Sequence, residues 1–456
     1  MSGSTAPAID PALRRSYDLR GVVGRTLFPS DAHGIGRAFA ALAAAQGRRK
    51  IAVSRDGRLS SPELEAELVR GLVEGGAQVF RMPLGPTPLV SFTVHRLALD
   101  GGIMVTGSHN PADQNGFKLQ LGADPIFGEA LKQLWDIELA RRSGGGVEEV
   151  DLGDDYLAAL TAELCAPLPA GIGWDSGNGA TGAMVERLAA RLPGRQVTLH
   201  TEIDGAFPNH HPDPSVPANL EDLSRTVVAE GLDLGIAFDG DGDRIGLVDS
   251  TGEIVWADQL LLLLSRDVLS ERPGSTIVAD VKSSAVLFDG VAMAGGRAVM
   301  APSGYVLIRE RMLREDAPLA GEMSGHIFFG DRWHHGDDGL YVAMRTLRAL
   351  ARSGRTLHEF RESLPRTWAT PEIRLPCPDA RKAEVLRAVA ASLEAAGRTV
   401  DRTDGLRVTG DGGWWLLRAS GTEPKLTARC EAQSEAALDR MREELGTALH
   451  GAGLET

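Results

Sequence analysis

Residues 234–250 read LGIAFDGDGDRIGLVDS, with Asp239, Asp241 and Asp243 at alternate positions between two apolar runs and Arg244 directly after them. Alternate residues of an extended chain share a face, and Gly240 and Gly242 let the backbone curl, so the three carboxylates converge. Unneutralised, they repel one another. A hard divalent cation with oxygen ligands resolves the conflict, and Mg2+ suits a site that must keep positions open for a phosphate oxygen. The plain alternative is an acidic hairpin tip, since Asp-Gly is a common turn. An EF-hand is excluded, because its sixth position would be Arg244 and its twelfth Ser250.

A second chemical stretch is TGSHNP at 106–111, directly after the apolar run GGIMV. A hydroxyl at a strand end, with Gly107 before it and His109 and Asn110 after it, can serve as a nucleophile or as the carrier of a transferred group. Ser, Asn and Pro also form ordinary turns, and the absence of a G-x-S-x-G elbow argues against a hydrolase triad. Near the C-terminus, RASGTEP offers Arg418, Ser420, Gly421 and Thr422, a guanidinium, two hydroxyls and glycine-freed amides that would cradle a phosphate dianion. GEMSGH supplies Glu322 and Ser324 beside His326, groups suited to sugar hydroxyls or to helix capping. Arg20, Lys118 and Lys282 are cations that could offset the negative charge. The pairs His210–His211 and His334–His335 read as structural, because neighbours in a strand point opposite ways and no third ligand is near in sequence. Gly177, Gly179 and Gly182 match GxGxxG, with Glu202 about 20 residues on, and make a dinucleotide site the main rival reading.

These loops need strands and helices to hold them. Three segments repeat one pattern of apolar strand, small-residue loop, amphipathic helix and second strand. They are KIAVSRDGR to AQVFRMP, GIGWDSGNGATG to RQVTLHTEI, and STIVADVKSS to GRAVMAP. Each is a βαβ signature, and their wide spacing suits successive α/β domains. After about Thr367 the pattern becomes a smaller α+β domain, with a helix from Arg381 to Ala396, the hairpin WWLLRASGTEPKLTARCEA and a helix from about Glu435. The expected domains are 1–150, 151–253, 254–367 and 368–456. A chain of 456 residues exceeds what one core usually serves, and 43% hydrophobic with 24% charged residues is ordinary for a globular protein. A net charge of -14 argues against nucleic acid or an anionic membrane as partner. Cys165, Cys377 and Cys430 are odd in number and scattered, which fits a reducing, cytoplasmic home. The N-terminus lacks a signal-peptide core, and no stretch is apolar enough to span a membrane.

In their order, YDLRG, TGSHNP, DGDGDR, GEMSGH and RASGTEP resemble the α-D-phosphohexomutase family, specifically its bacterial phosphomannomutase/phosphoglucomutase branch. The resemblance implies an α/β protein of four domains, three related and one smaller α+β, whose motif loops meet in a central cleft. The GxGxxG match then becomes a scaffold turn. It implies Ser108 as the phosphoserine, with Mg2+ held by its phosphate and by Asp239, Asp241 and Asp243. The substrate-binding set it implies is Tyr17, Lys282, Gly304, Glu322, Ser324, Arg418, Ser420, Gly421 and Thr422. Glu322 and Ser324 read sugar hydroxyls, and Arg418, Ser420 and Thr422 grip the non-reacting phosphate. Arg244, Arg20 and Lys118 assist transfer electrostatically, and His326, Lys118 and His109 stand as alternatives for moving the proton or orienting the phosphoserine.

The implied reaction interconverts hexose 1- and 6-phosphates of glucose and mannose through a hexose 1,6-bisphosphate, with glucose 1,6-bisphosphate as activator. Phosphoglucosamine mutase and metal-dependent sugar phosphatase are the alternatives, and the expected assembly is a monomer or weak dimer. One departure stands out: Tyr305 follows Gly304 where the family pattern would place histidine. Tyrosine carries no positive charge at neutral pH, so weaker or altered ligand contact is expected there.

Overall fold

The computed structural model describes residues 9–139, 143–420 and 424–454, and the chain divides into two compact units. The first comprises Met1–Asp267 with Ser324–Glu359, the second Val268–Met323 with Phe360–Thr456.

In the first unit, strand Lys50–Arg55 is buried along its middle, as a parallel strand covered by helices on both faces should be. It lies between the parallel strands Gln78–Arg81 and Gly101–Val105. Gly101–Val105 pairs antiparallel with Gln114–Leu121, which pairs antiparallel with Leu19–Val22. Helices Pro29–Ala45 and Ser61–Glu74 pack backbone to backbone: a Cβ on Gly36 would meet the Leu68 carbonyl at 2.3 Å, and one on Gly71 the His33 carbonyl at 2.2 Å. Phe39, Ile51, Val53, Leu68, Ile103 and Phe117 belong to the core formed there.

A second sheet of the same unit runs Ile254–Val255, Ile245–Asp249, Leu234–Phe238, Gly171–Asp175, Arg195–Leu199. Gly171–Asp175 and Arg195–Leu199 are parallel strands flanking helix Gly182–Ala189, and the hairpin Leu234–Phe238/Ile245–Asp249 is antiparallel. The acidic loop is the tip of that hairpin.

In the second unit, strand Thr276–Asp280 runs parallel to both Arg297–Ala301 and Leu319–Gly321. The C-terminal part is an antiparallel sheet in which Lys425–Ala432 pairs with Gly413–Ala419, Trp368–Ala369 and Ile373–Pro376. Helices Asp379–Ala395 and Glu435–Gly451 contribute Val385, Val389, Met441 and Leu445 to its core. The three expected βαβ units, the C-terminal hairpin and both C-terminal helices form, with helix ends within two residues of expectation. Gly421 and Thr422 lie outside the described residues. No described helix is long and apolar enough to cross a membrane.

Candidate active site

Register decides which cations face the serine loop. Arg20 lies opposite Gly116, and Lys118 lies opposite Met104, two positions along the same strand. Residues two apart share a face, so Arg20 and Lys118 project from the same side of the sheet. The TGSHNP loop leaves the adjoining strand end. Ser108 is buried and held at φ +50°, a left-handed conformation that costs a non-glycine residue free energy and persists where its surroundings fix it.

Those surroundings centre on a residue that the motifs did not reveal. Arg58 is fully buried and donates through Nη1 to the carbonyls of Pro111 (2.6 Å) and Gln114 (2.9 Å), and through Nη2 to those of Ser108 and Asn110, both at 2.7 Å. Its Nε reaches Asp56 Oδ2 at 3.2 Å. One guanidinium thus gathers four carbonyls of this segment, that of Ser108 through a fully buried bond. Arg20 adds Nη1 bonds to the Gly107 carbonyl (2.8 Å) and Asn110 Oδ1 (2.7 Å), and Thr106 Oγ1 accepts from the Ser108 amide at 2.8 Å.

Ser108 Oγ donates to Asp239 Oδ2 at 2.9 Å and lies 3.1 Å from His109 Nδ1. The approach needs glycine: a Cβ on Gly240 would stand 2.4 Å from the Ser108 carbonyl, and one on Gly242, at φ +79°, would stand 2.3 Å from Thr181 Cγ2. Asp239 Oδ1 accepts from the amides of Gly242 (2.9 Å) and Arg244 (3.2 Å). Lys118 Nζ bridges Asp241 Oδ2, at 2.7 Å, and Asp243 Oδ2. Thr87, also not foreseen, donates to Asp241 Oδ2 at 2.5 Å. Arg244 Nε donates to His326 Nε2 at 3.3 Å, and His326 Nδ1 lies 3.1 Å from Ser324 Oγ.

Burial and mutual repulsion raise the Asp239 carboxyl well above its ordinary range, the charges of Asp243 and Asp241 adding to desolvation. Burial acts the same way on Asp243, but Lys118 and His326 outweigh it and hold that group well below the usual range. His109 is pulled well below the ordinary histidine value by burial and by Arg244 and Arg20, so its imidazole is neutral. Asp337, another residue missed in the sequence, is pushed up to about 6 by burial and by Asp243.

The three loop carboxylates fit a cation. They bring ligand atoms within 4.8 Å of one another, and among the described residues Asp241 Oδ1 and Asp243 Oδ1 accept no hydrogen bond. Asp243 Oδ1 stands 3.3 Å from His326 Nε2, and the Lys118 ammonium already supplies positive charge to the opposite oxygens. All-oxygen donors with buried, unsatisfied lone pairs suit a hard divalent ion.

In the second unit, Arg418 donates through Nε and Nη2 to Asp404 Oδ2, both at 2.9 Å, and the same oxygen accepts from the Ser303 amide at 3.1 Å. Gly304, at φ +132°, donates its amide to Glu322 Oε2 at 2.9 Å and precedes helix Tyr305–Arg314. Lys382 Nζ donates to the Ser420 carbonyl at 2.8 Å. The segment bearing Lys282 is held from both sides of that residue. Arg407 Nη1 donates to the carbonyls of Val281 (2.7 Å) and Ser283 (2.9 Å), Arg429 Nη1 to that of Lys282 (3.0 Å), and Glu431 Oε1 accepts from Ser284 Oγ at 2.8 Å. Tyr17 is half-buried beside the YDLRG strand of the first unit.

Four stretches match the domain models described as phosphoglucomutase/phosphomannomutase alpha/beta/alpha domains I (12–137), II (154–252) and III (256–368) and C-terminal domain (372–448). The chain is 41% identical over 448 residues to a phosphomannomutase/phosphoglucomutase of Pseudomonas putida, covering 97% of this chain and 96% of that one. The chain belongs to the phosphoglucomutase/phosphomannomutase family. It is also 41% identical over 435 residues to a phosphoglucomutase of Neisseria gonorrhoeae, covering 94% of each. A crystal structure of a phosphoglucomutase/phosphomannomutase family protein from Burkholderia thailandensis matches with a TM-score of 0.91 at 38% identity, covering 98% of both chains.

Within this family the GxGxxG stretch has a steric account. A Cβ on Gly179 would stand 2.8 Å from the Gly240 carbonyl, and one on Gly182 would stand 2.0 Å from the Thr201 carbonyl, so close packing requires both glycines. One sequence expectation is corrected. His210 and His211 are not in a strand, and His210 Nε2 lies 3.1 Å from Asp175 Oδ2. That partner is 35 residues away in the chain, beyond the reach of local spacing.

Proposed function

We propose that this chain interconverts the 1- and 6-phosphates of glucose and of mannose through a phosphorylated Ser108 and a hexose 1,6-bisphosphate, with Mg2+ as its metal and glucose 1,6-bisphosphate as activator. The observation that carries the reading is the placement of Ser108 Oγ 2.9 Å from Asp239 Oδ2 and 3.1 Å from neutral His109, in a loop fixed by Arg58. A hydroxyl meant only to cap a turn would not need a buried guanidinium on four carbonyls of its loop.

Asp239, Asp241 and Asp243, with an oxygen of the Ser108 phosphate, would hold the metal, which neutralises phosphoryl oxygens when bound. Each transfer breaks one P–O bond and makes another. When the phosphoryl group leaves Ser108 Oγ for a sugar hydroxyl, the P–O electrons go to Oγ, and the hydroxyl's proton must be taken up. His326, whose Nε2 stands 3.3 Å from Asp243 Oδ1, is the group proposed for that task, while the Lys118 ammonium on Asp241 and Asp243 supplies charge and His109 orients the Ser108 oxygen. Arg244 and Arg20 supply fixed positive charge, which lowers the barrier because transfer depends on alignment and neutralisation.

Motif resemblance assigns Tyr17, Lys282, Gly304, Glu322, Ser324, Arg418, Ser420, Gly421 and Thr422 to the substrate, with Arg418 on the non-reacting phosphate. The Asp404 pairing supports that role, since it fixes the guanidinium beforehand. We divide the chain at 1–150, 151–253, 254–367 and 368–456, and expect a cytoplasmic monomer or weak dimer. The test is a coupled assay on glucose, mannose and glucosamine 1-phosphates with Mg2+ and a trace of bisphosphate, with Ser108→Ala alongside. Turnover of the first two, abolished by Ser108→Ala, supports the reading. Preference for glucosamine phosphate, or release of inorganic phosphate as the main product, overturns it.

A further inference from the structure

At the C-terminal ends of strands Gly171–Asp175 and Arg195–Leu199, Asp175, His200 and His210 bring one carboxylate oxygen and two ring nitrogens within 4.8 Å of one another. Asp175 is fully buried. Its Oδ1 accepts from the Gly177 amide at 2.9 Å, and its Oδ2 lies 3.1 Å from His210 Nε2. The other nitrogen of that ring, Nδ1, donates to the His211 carbonyl at 3.0 Å, which leaves Nε2 as the atom facing the trio. His200 is oriented from outside by Asp222, whose Oδ2 lies 3.2 Å from Nε2. The two imidazoles stand nearly perpendicular, at 78°, with centroids 5.2 Å apart. Each side chain is therefore fixed by a partner outside the trio, the arrangement that orients metal-ligating histidines.

We propose that Asp175, His200 and His210 form a second metal site, for a divalent transition ion such as zinc, with water in the fourth position. Imidazole nitrogens favour zinc over magnesium, which takes oxygen ligands, so the site differs chemically from the acidic trio at 239–243. It stands independently of the mutase reading. A carbonyl faces Nδ1 and a carboxylate faces Nε2, both acceptors, so in the metal-free chain the ring donates a proton from Nε2 to Asp175. Binding puts the metal in that proton's place and releases the proton to solvent. Two residues after His210, the Pro212 carbonyl accepts from the Gly240 amide at 3.2 Å, so a metal here ties three loop ends together beside the acidic loop.

The test is calorimetric zinc titration of the full chain in excess Mg2+, with Co2+ absorption as a readout of coordination geometry, on wild type, His200→Gln, His210→Gln and Asp241→Asn. Wild type and Asp241→Asn should each bind about one zinc and give a four-coordinate cobalt spectrum. His200→Gln and His210→Gln should weaken binding about 100-fold or more. His200 is on a loop and partly exposed, so its variant keeps the test decisive should His210→Gln fail to fold. Zinc affinity unchanged in His200→Gln, or lost only in Asp241→Asn, overturns the proposal and leaves Asp175 and His210 as an ion pair.

Discussion

Ser108 and the carboxylates of Asp239, Asp241 and Asp243 are at most 2% exposed, whereas in the second unit the side chains of Arg418 and Lys282 keep 16% and 24% of their surface open. In the first region charges answer one another internally: Lys118 holds two carboxylates, and Arg58 holds the serine loop. In the second, Arg418 rests on Asp404, and the backbone around Lys282 is fixed by Arg407 and Arg429 while the lysine side chain stays partly open. Burial strengthens electrostatic effects and suits groups whose bonds change, while a group that must meet a ligand keeps part of its surface free. The contrast separates variants expected to reduce turnover from variants expected to weaken binding.

Ser108→Ala should cost the most, at least about 10⁴-fold in kcat, because it removes the atom proposed to carry the phosphoryl group. Asp241→Asn follows at about 10³-fold, with a lowered metal affinity readable by Mg2+ titration of activity. Arg58→Lys keeps the charge but loses the fork that serves four carbonyls. It should lower kcat about 10–100-fold with KM nearly unchanged, since a misplaced serine loop impairs alignment and not affinity. Arg418→Ala should do the reverse, raising KM about 10–100-fold, the worth of a charge-assisted phosphate contact. A kcat loss dominating in Arg418→Ala, or a KM rise dominating in Arg58→Lys, would erase the distinction between the regions.

The smallest effect concerns a buried acid that the chemistry does not use. Asp338 caps helix Gly339–Ser353, receives the Tyr156 hydroxyl at 2.8 Å, and is pushed up to about 7 by burial. Between about 4 and 7 the native state binds a proton that the unfolded chain has lost, so this group's contribution to stability falls as pH rises across that window. Asp338→Asn retains a capping side chain and cannot ionise. Its Tm should fall less than that of wild type between pH 5 and pH 8, and equal slopes would show that Asp338 does not set this dependence.

The loops were legible because chemistry and turn geometry put their residues side by side: DGDGDR shows its three acids, and TGSHNP its serine, without any knowledge of the fold. The βαβ units were legible through their apolar strands and small-residue turns. Arg58 was not, because its four carbonyl partners lie 50 to 56 residues away and a lone arginine after a strand reads as surface charge. Thr87 lies 154 residues from Asp241, and the oxygen of Asp404 that seats Arg418 belongs to a turn with no signature of its own. The pairing of His210 with Asp175 was hidden for the same reason, since Asp175 ends a strand 35 residues away. What escapes the sequence is the set of residues that position the chemistry through long-range contacts.

In the proposed reaction Ser108 carries the phosphoryl group between positions of one sugar. Exposure of the Mg2+-loaded chain to hexose 1,6-bisphosphate labelled at phosphorus, followed by peptide mapping and a chase with unlabelled hexose 1-phosphate, tests it directly. Label should appear on Ser108 alone and pass to hexose phosphate at least as fast as steady-state turnover. Full turnover with Ser108 unlabelled, or label that remains on Ser108 through the chase, would contradict it.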